Sequence, residues 1–205
     1  VCASLEPPCE GILFYGKSKA CLEGTLCVEG ECLATNLCDL AAQKGSHFGC
    51  SFWSVDLALY PDPYSEVQPD TAPHALYFAA PPGETVNLQL STMAQGIELE
   101  VMETSVCGGC SAALTMPVMS LGGAGIFDRS LHIASDRPIS VVQVNPLDTA
   151  AAANDASLLW PEHLLDTNYS VLSWPTEPLE QVPIIGLPSQ HGYFTVVATV
   201  PGTTD

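Results

Sequence analysis

The feature that most constrains this chain is an alternation of apolar and polar side chains, first met at Ser51 and met again as far as residue 200. Val86, Leu88 and Leu90 alternate with Thr85, Asn87 and Gln89. Ile97, Leu99 and Val101 alternate with Glu98, Glu100 and Met102. Leu131 and Ile133 flank His132, and Phe194, Val196, Ala198 and Val200 interleave with Thr195 and Thr199. By the same period, Trp53, Val55, Leu57 and Leu59 form a dry face, with Ser54 and Asp56 on the wet one. A period of two belongs to a strand with one face buried. Several in succession predict an all-β fold, antiparallel sheets packed as a β-sandwich. A propeller-like arrangement is the second option. Prolines fall between these runs, where no ladder donor is lost. Two stretches are read as helical. Cys38 to Lys44 fits one or two turns, and Pro161 to Asp166 places Pro at a first helical position.

The stretch from Ser135 to Pro161 organises the fold. Turn signals at Asp136-Arg137-Pro138, Asn145-Pro146 and Asn154-Asp155 cut it into pieces. Between the first two, Ile139 to Val144 is rich in β-branched residues and reads as a strand. A second pattern is internal. His74 to Val86 (HALYFAAPPGETV) and Tyr193 to Asp205 (YFTVVATVPGTTD) each give an apolar strand, a Pro-Gly turn and a Thr. They suggest two pseudo-repeated halves. The second copy stops where its return strand should begin, so the chain is expected to continue past Asp205.

Nine cysteines bear on compartment, and seven of them (Cys2, Cys9, Cys21, Cys27, Cys32, Cys38, Cys50) fall in the first 50 residues. Their irregular, Gly-rich spacing reads as a disulfide framework in an oxidising space, whereas zinc would want paired CxxC or Cys/His clusters. Residues 1–37 then form a small stapled module, too short to build its own core. The pairing among Cys2, Cys9, Cys21, Cys27 and Cys32 is left open. Cys38 and Cys50 stand apart and are expected to pair. Residues 38–205 form the β domain.

The formal charge is −18, from 23 acidic residues against 5 Lys plus Arg. Such a surface repels phosphate backbones and anionic membranes, so nucleic acid is excluded as a partner. No apolar run approaches the ~18 residues of a membrane-spanning helix. The mean hydropathy of +0.23 with 14% charged residues is apolar for a solvated monomer and would suit contacts between copies.

Candidate chemistry is sparse. Cys107-Gly108-Gly109-Cys110 has redox spacing, but a thiol–disulfide catalyst needs a helix N-terminus after a parallel strand. A proline follows seven residues on, so a hairpin tip closed by a Cys107–Cys110 disulfide is the better reading. No GxSxG or HExxH occurs. Of His47, His74, His132, His163 and His191, none are spaced i, i+4. His132 reads as a solvated strand residue and His163 as locally hydrogen-bonded. Gly122 to Gly125 lacks the Lys-Ser/Thr of a phosphate loop. Asp136, Asp148, Asn154 and Asp155 are oxygen donors that would bind Ca²⁺ if they converged, against a simpler role as turn caps. No cofactor or metal site is assigned.

Several phrases carry a family resemblance. They are GCSFWSVDL (Gly49–Leu57), HALYFAAPPGETVNLQL, SDRPISVVQVNPL (Ser135–Leu147), NDASLLWPEHLL (Asn154–Leu165), YSVLSWP (Tyr169–Pro175) and YFTVVATVPGTT. Their order over residues 38–205 resembles the IgGFc-binding protein N-terminal domain family, as found in bacterial surface and secreted proteins behind a Cys-rich leader. The resemblance implies secretion and binding and defines no catalytic residues. The Cys107–Cys110 insert departs from the family pattern. The function expected is a non-enzymatic extracellular or cell-surface adhesion or binding module of a larger secreted protein, with a protein or glycan ligand. The alternatives are a subunit that self-assembles into a fibre or coat, and a thiol–disulfide oxidoreductase through Cys107 and Cys110.

Overall fold

The computed structural model describes residues 25–28, 31–34, 36–57, 74–82, 85–94, 97–107, 111–116, 119, 121, 125–145, 147, 155–173 and 193–200. Strands dominate them. In chain order these are β1 (Thr25–Val28), β2 (Glu31–Ala34), β3 (Gly49–Val55), β4 (Ala75–Ala79), β5 (Thr85–Ala94), β6 (Ile97–Cys107), β7 (Ser111–Thr115), β8 (Ser130–Asn145) and β9 (Asp155–Leu158). One helix, α1 (Leu37–Gln43), lies between β2 and β3. The all-β class expected from the alternation is the class observed.

β8 is the spine. It is 16 residues long and pairs with four other strands, all antiparallel. Its first part, Ser130 to Ser135, lies between β5 and β3. Its second part, Ser140 to Asn145, lies between β4 and β9. β6 adds outside β5 and β7 outside β4, which makes one curled seven-stranded sheet. This corrects the expected turn at Asp136-Arg137-Pro138, because the strand runs through it. It also replaces separate propeller blades, since one strand serves both halves.

The register gives the reason. Ser51 faces Ala134, but Gly49 faces Ile139. β3 therefore advances two residues (49 to 51) while β8 advances five (134 to 139). The extra residues form a bulge, which bends a strand and tolerates a proline that cannot donate. Ser135 Oγ donates to the Arg137 carbonyl at 2.8 Å within it. Leu131, Ile133, Ile139 and Val141 all stay inside across the bend. The concave side thus holds one core, with Phe52, Leu76, Phe78, Val86, Leu88, Leu90 and Val106 packed on those four. Each fully buried side chain of this size stabilises by roughly 1.5–3 kcal/mol.

The face assigned to β3 is reversed. Phe52, Ser54 and Asp56 are buried, whereas Trp53, Val55 and Leu57 are half-buried. Residues 193–200 are a second correction. They form no ladder and are mostly exposed, so the second copy of the internal pattern is not a strand among the described residues.

Helix α1 has explicit ends. Asn36 caps it, its Oδ1 accepting from the Cys38 N–H at 2.8 Å. Gly45 ends it at φ +61°, a conformation that favours glycine. There Gly45 N–H donates to the Ala42 carbonyl and Ser46 N–H to that of Ala41, a Schellman closure. Cys38 and Cys50 form the expected disulfide, with Cα atoms 5.7 Å apart, which ties α1 to β3. The PEHLLD segment is a single 3-10 turn, Glu162–Leu164, with Pro161 at its N-cap rather than inside it. Within residues 1–37, β1 and β2 form an antiparallel pair with Cys27 opposite Cys32. Cys2, Cys9 and Cys21 lie outside the described residues.

Candidate functional site

Two polar clusters stand out. The first lies on the outer face, beside the disulfide. Ser51 leaves β3 on that side, His132 opposes Trp53 across the β3–β8 ladder, and Glu162 arrives from the 3-10 turn. Pro161 reaches β3 through a bridge to Phe52, which brings the turn into contact. Ser51 Oγ donates to Glu162 Oε2 at 2.5 Å and lies 2.9 Å from His132 Nε2. The His132 ring packs on Trp53 with centroids 4.7 Å apart. His132 is therefore a braced, half-buried residue, more engaged than a solvated one. An open cleft of about 320 Å³ runs here, lined by Cys38, Asp39, Cys50, Ser51, Glu162 and His163.

Serine, histidine and glutamate together invite comparison with a hydrolase triad, but the proton runs the wrong way. In a triad the histidine accepts the serine proton, and the acid orients the histidine from its far nitrogen. Here the single hydroxyl proton goes to the Glu162 carboxylate. His132 can complete the contact only by donating Nε2–H to Ser51 Oγ, so it is no base toward that serine. The group instead braces the 3-10 turn against β3 and β8. His163 is held in the same way, its Nε2 2.8 Å from the Ser46 carbonyl; the partner lies 117 residues away, which corrects the expected bond within the turn.

The second cluster closes one end of the core. Inward positions turn polar at the same level on three strands: Ser54 and Asp56 after Phe52, Gln143 and Asn145 after Val141, and His74 before Leu76. Ser54 Oγ donates to Gln143 Oε1, and Gln143 Nε2 to the Val55 carbonyl, both at 2.6 Å. Asn145 Nδ2 donates to Asp56 Oδ1 at 3.3 Å and to the Leu57 carbonyl at 3.2 Å. The Met119 N–H donates to Asp56 Oδ2 at 2.8 Å. His74 is 0% exposed, with Nδ1 3.8 Å from Asp56 Oδ2. Burial holds its imidazole below the usual histidine range, partly offset by the Asp56 carboxylate. Sequence reasoning passed over this cluster. His74 shares the parity of Leu76 and Phe78, a signal that was present.

The other expected sites are not assembled. Cys107 is an exposed free thiol, which corrects the Cys107–Cys110 disulfide. Nor do the flanking strands form the expected hairpin, since β6 pairs with β5 and β7 with β4. Cys110 lies outside the described residues. Asp136 accepts from Asn87 N–H at 2.9 Å and Asn87 Nδ2 at 2.6 Å. Asp155 stands opposite Asn145, nine residues further along β8 (136 to 145), on the order of 30 Å of strand. The two do not share a calcium site, and Asp148 and Asn154 lie outside the described residues.

No protein-family model matches this chain, and no curated protein does. A solved structure, that of the Thermotoga maritima protein 1070, aligns at 11% identity over 56% of this chain and 95% of its own, with a TM-score of 0.38. A likeness that loose carries no argument about activity.

Proposed function

We propose that this chain is a non-enzymatic, extracellular binding module of a larger secreted protein, related to the IgGFc-binding protein N-terminal domain family. The observation that carries it is a run of exposed large apolar side chains after β8: Leu158, Trp160, Tyr169, Val171 and Leu172, the last 98% exposed. Large exposed apolar groups in one region mark interaction surfaces more often than solvated ones. The Cys38–Cys50 disulfide is compatible with an oxidising compartment. The charge of −18 disfavours polyanions, which leaves protein or neutral glycan ligands. Among the described residues no helix is long and apolar enough to cross a membrane, which says nothing of a β-barrel.

Self-assembly into a coat or fibre is the second reading, since the same apolar side chains would serve contacts between copies. A thiol–disulfide role is the weakest, because the chain after Cys107 enters β7 and not a helix. Sedimentation velocity over a range of concentrations, run beside glycan and extracellular-protein arrays, separates the three. A monomer that binds, and loses binding in a Trp160→Ala/Leu172→Ala variant, supports the module. Concentration-dependent growth supports the subunit. Insulin reduction that vanishes in Cys107→Ser would overturn both.

A further inference from the structure

The polar layer at the end of the core joins the two halves of the sheet. Ser54 and Asp56 come from β3 and the residue beyond it, on the half built around the first part of β8. His74, Gln143 and Asn145 belong to the other half. Each tie crosses between them: Ser54 to Gln143, Gln143 to the Val55 carbonyl, and Asn145 to Asp56 and the Leu57 carbonyl. β3 is not laddered to β4 or β9, so its last residues depend on these contacts to stay over the far half.

We infer that this layer is an acid-sensitive joint, in which protonation of the His74 imidazole releases the end of β3 from the far half of the sheet. The inference is independent of the proposed binding role. Among the described residues, the charged group set against His74 is Asp56 alone. From β8 come the neutral Gln143 and Asn145. The segment after β7 offers backbone, with Met116 N–H on the His74 carbonyl and Met119 and Leu121 N–H on Asp56. An imidazolium in this buried setting needs a carboxylate at hydrogen-bond distance, and Asp56 is 3.8 Å away. Asp56 already holds the Met119 N–H and Asn145 Nδ2. Closing that gap shifts the carboxylate that also holds Asn145 Nδ2, a bond already long at 3.3 Å, and so weakens the tie through Asn145.

The unfolded chain titrates His74 near its ordinary value of about 6.5, and the folded chain below it. Between the two values the unfolded state binds more protons. The stability held by the neutral ring is therefore fully present above about pH 6.5 and is lost as pH falls through the folded value.

The experiment is thermal unfolding as a function of pH, on the wild-type chain and on His74→Gln, which keeps a neutral polar group. Other histidines contribute to both curves, so the difference isolates His74. The melting temperature of the wild type falls toward and below that of the variant as pH drops under about 6.5, while above it the gap is constant. Parallel curves overturn the inference. Should His74→Gln fail to fold, the ring carbon shifts of wild-type His74 decide by NMR. A ring that stays neutral below the ordinary range, and protonates together with loss of amide protection at residues 54–57, supports the joint. A ring that titrates in the ordinary range with protection intact refutes it.

Discussion

Gly49 is buried on β3, against the segment that follows β9. A Cβ placed on it would lie 2.3 Å from Pro161 Cβ and 3.1 Å from His163 Cε1. Neither the proline ring nor the hydrogen-bonded His163 can retreat cheaply. Gly49→Ala should therefore cost about 1–3 kcal/mol, read as a lower urea midpoint with unchanged slope. The same few residues show where sequence reading met its limit. Val86, Leu88, Leu90, Leu131 and Ile133 are buried as their alternation says. On β3 the alternation is equally clear, but the bulky residues Trp53, Val55 and Leu57 are the less buried set. A one-residue change of register swaps the faces of a strand. The register break between Gly49 and Ser51 is set by β8, and nothing local in β3 announces it. Ser54 and Asp56 consequently read as solvent-facing, although their partners Gln143 and Asn145 lie some 89 residues away. A polar layer assembled over such separations leaves no local pattern.

At the scale of elements, the disulfide and the bulge carry the argument. Cys38 and Cys50 enclose a short loop, with a separation of 12 residues. In the chain-entropy account a loop of that size is worth about 3 kcal/mol. A Cys38→Ser/Cys50→Ser variant should lose about that much by chemical unfolding, with the helix signal of α1 fading before the sheet melts. Equal stability of the oxidised and double-serine chains would show that α1 is held by packing alone. That pairing was legible because both cysteines stand apart from their neighbours in sequence. The Asp136-Arg137-Pro138 punctuation was legible as an irregularity and misread as an end. Turn residues mark a departure from the ladder, and a bulge uses the same residues to bend a strand that continues. That β6 and β7 form no hairpin hung on strand order, which spacing does not encode.

Across the whole molecule, a charge of −18 coexists with exposed Trp160, Tyr169, Leu172 and Phe194. Tyr193 is 57% exposed, and its partial burial and then the Asp155 carboxylate push its phenol above the usual tyrosine range. Tyr193 thus lies within electrostatic reach of Asp155 at the start of β9. If binding uses this region, a neutral ligand should bind with weak dependence on salt, since the apolar side chains carry no charge to screen. A steep loss of affinity with added salt would point to the acidic surface instead. Either outcome presupposes a sheet that behaves as one body. β8 is what makes it so, because both halves pair to it and share one core. Native-state hydrogen exchange along β8 tests this most directly. Amides at 131–134 and at 141–144 should open with a single free energy, equal to that of global unfolding. Two separate opening energies, divided at residues 135–138, would mean that the bulge is a hinge between independent units.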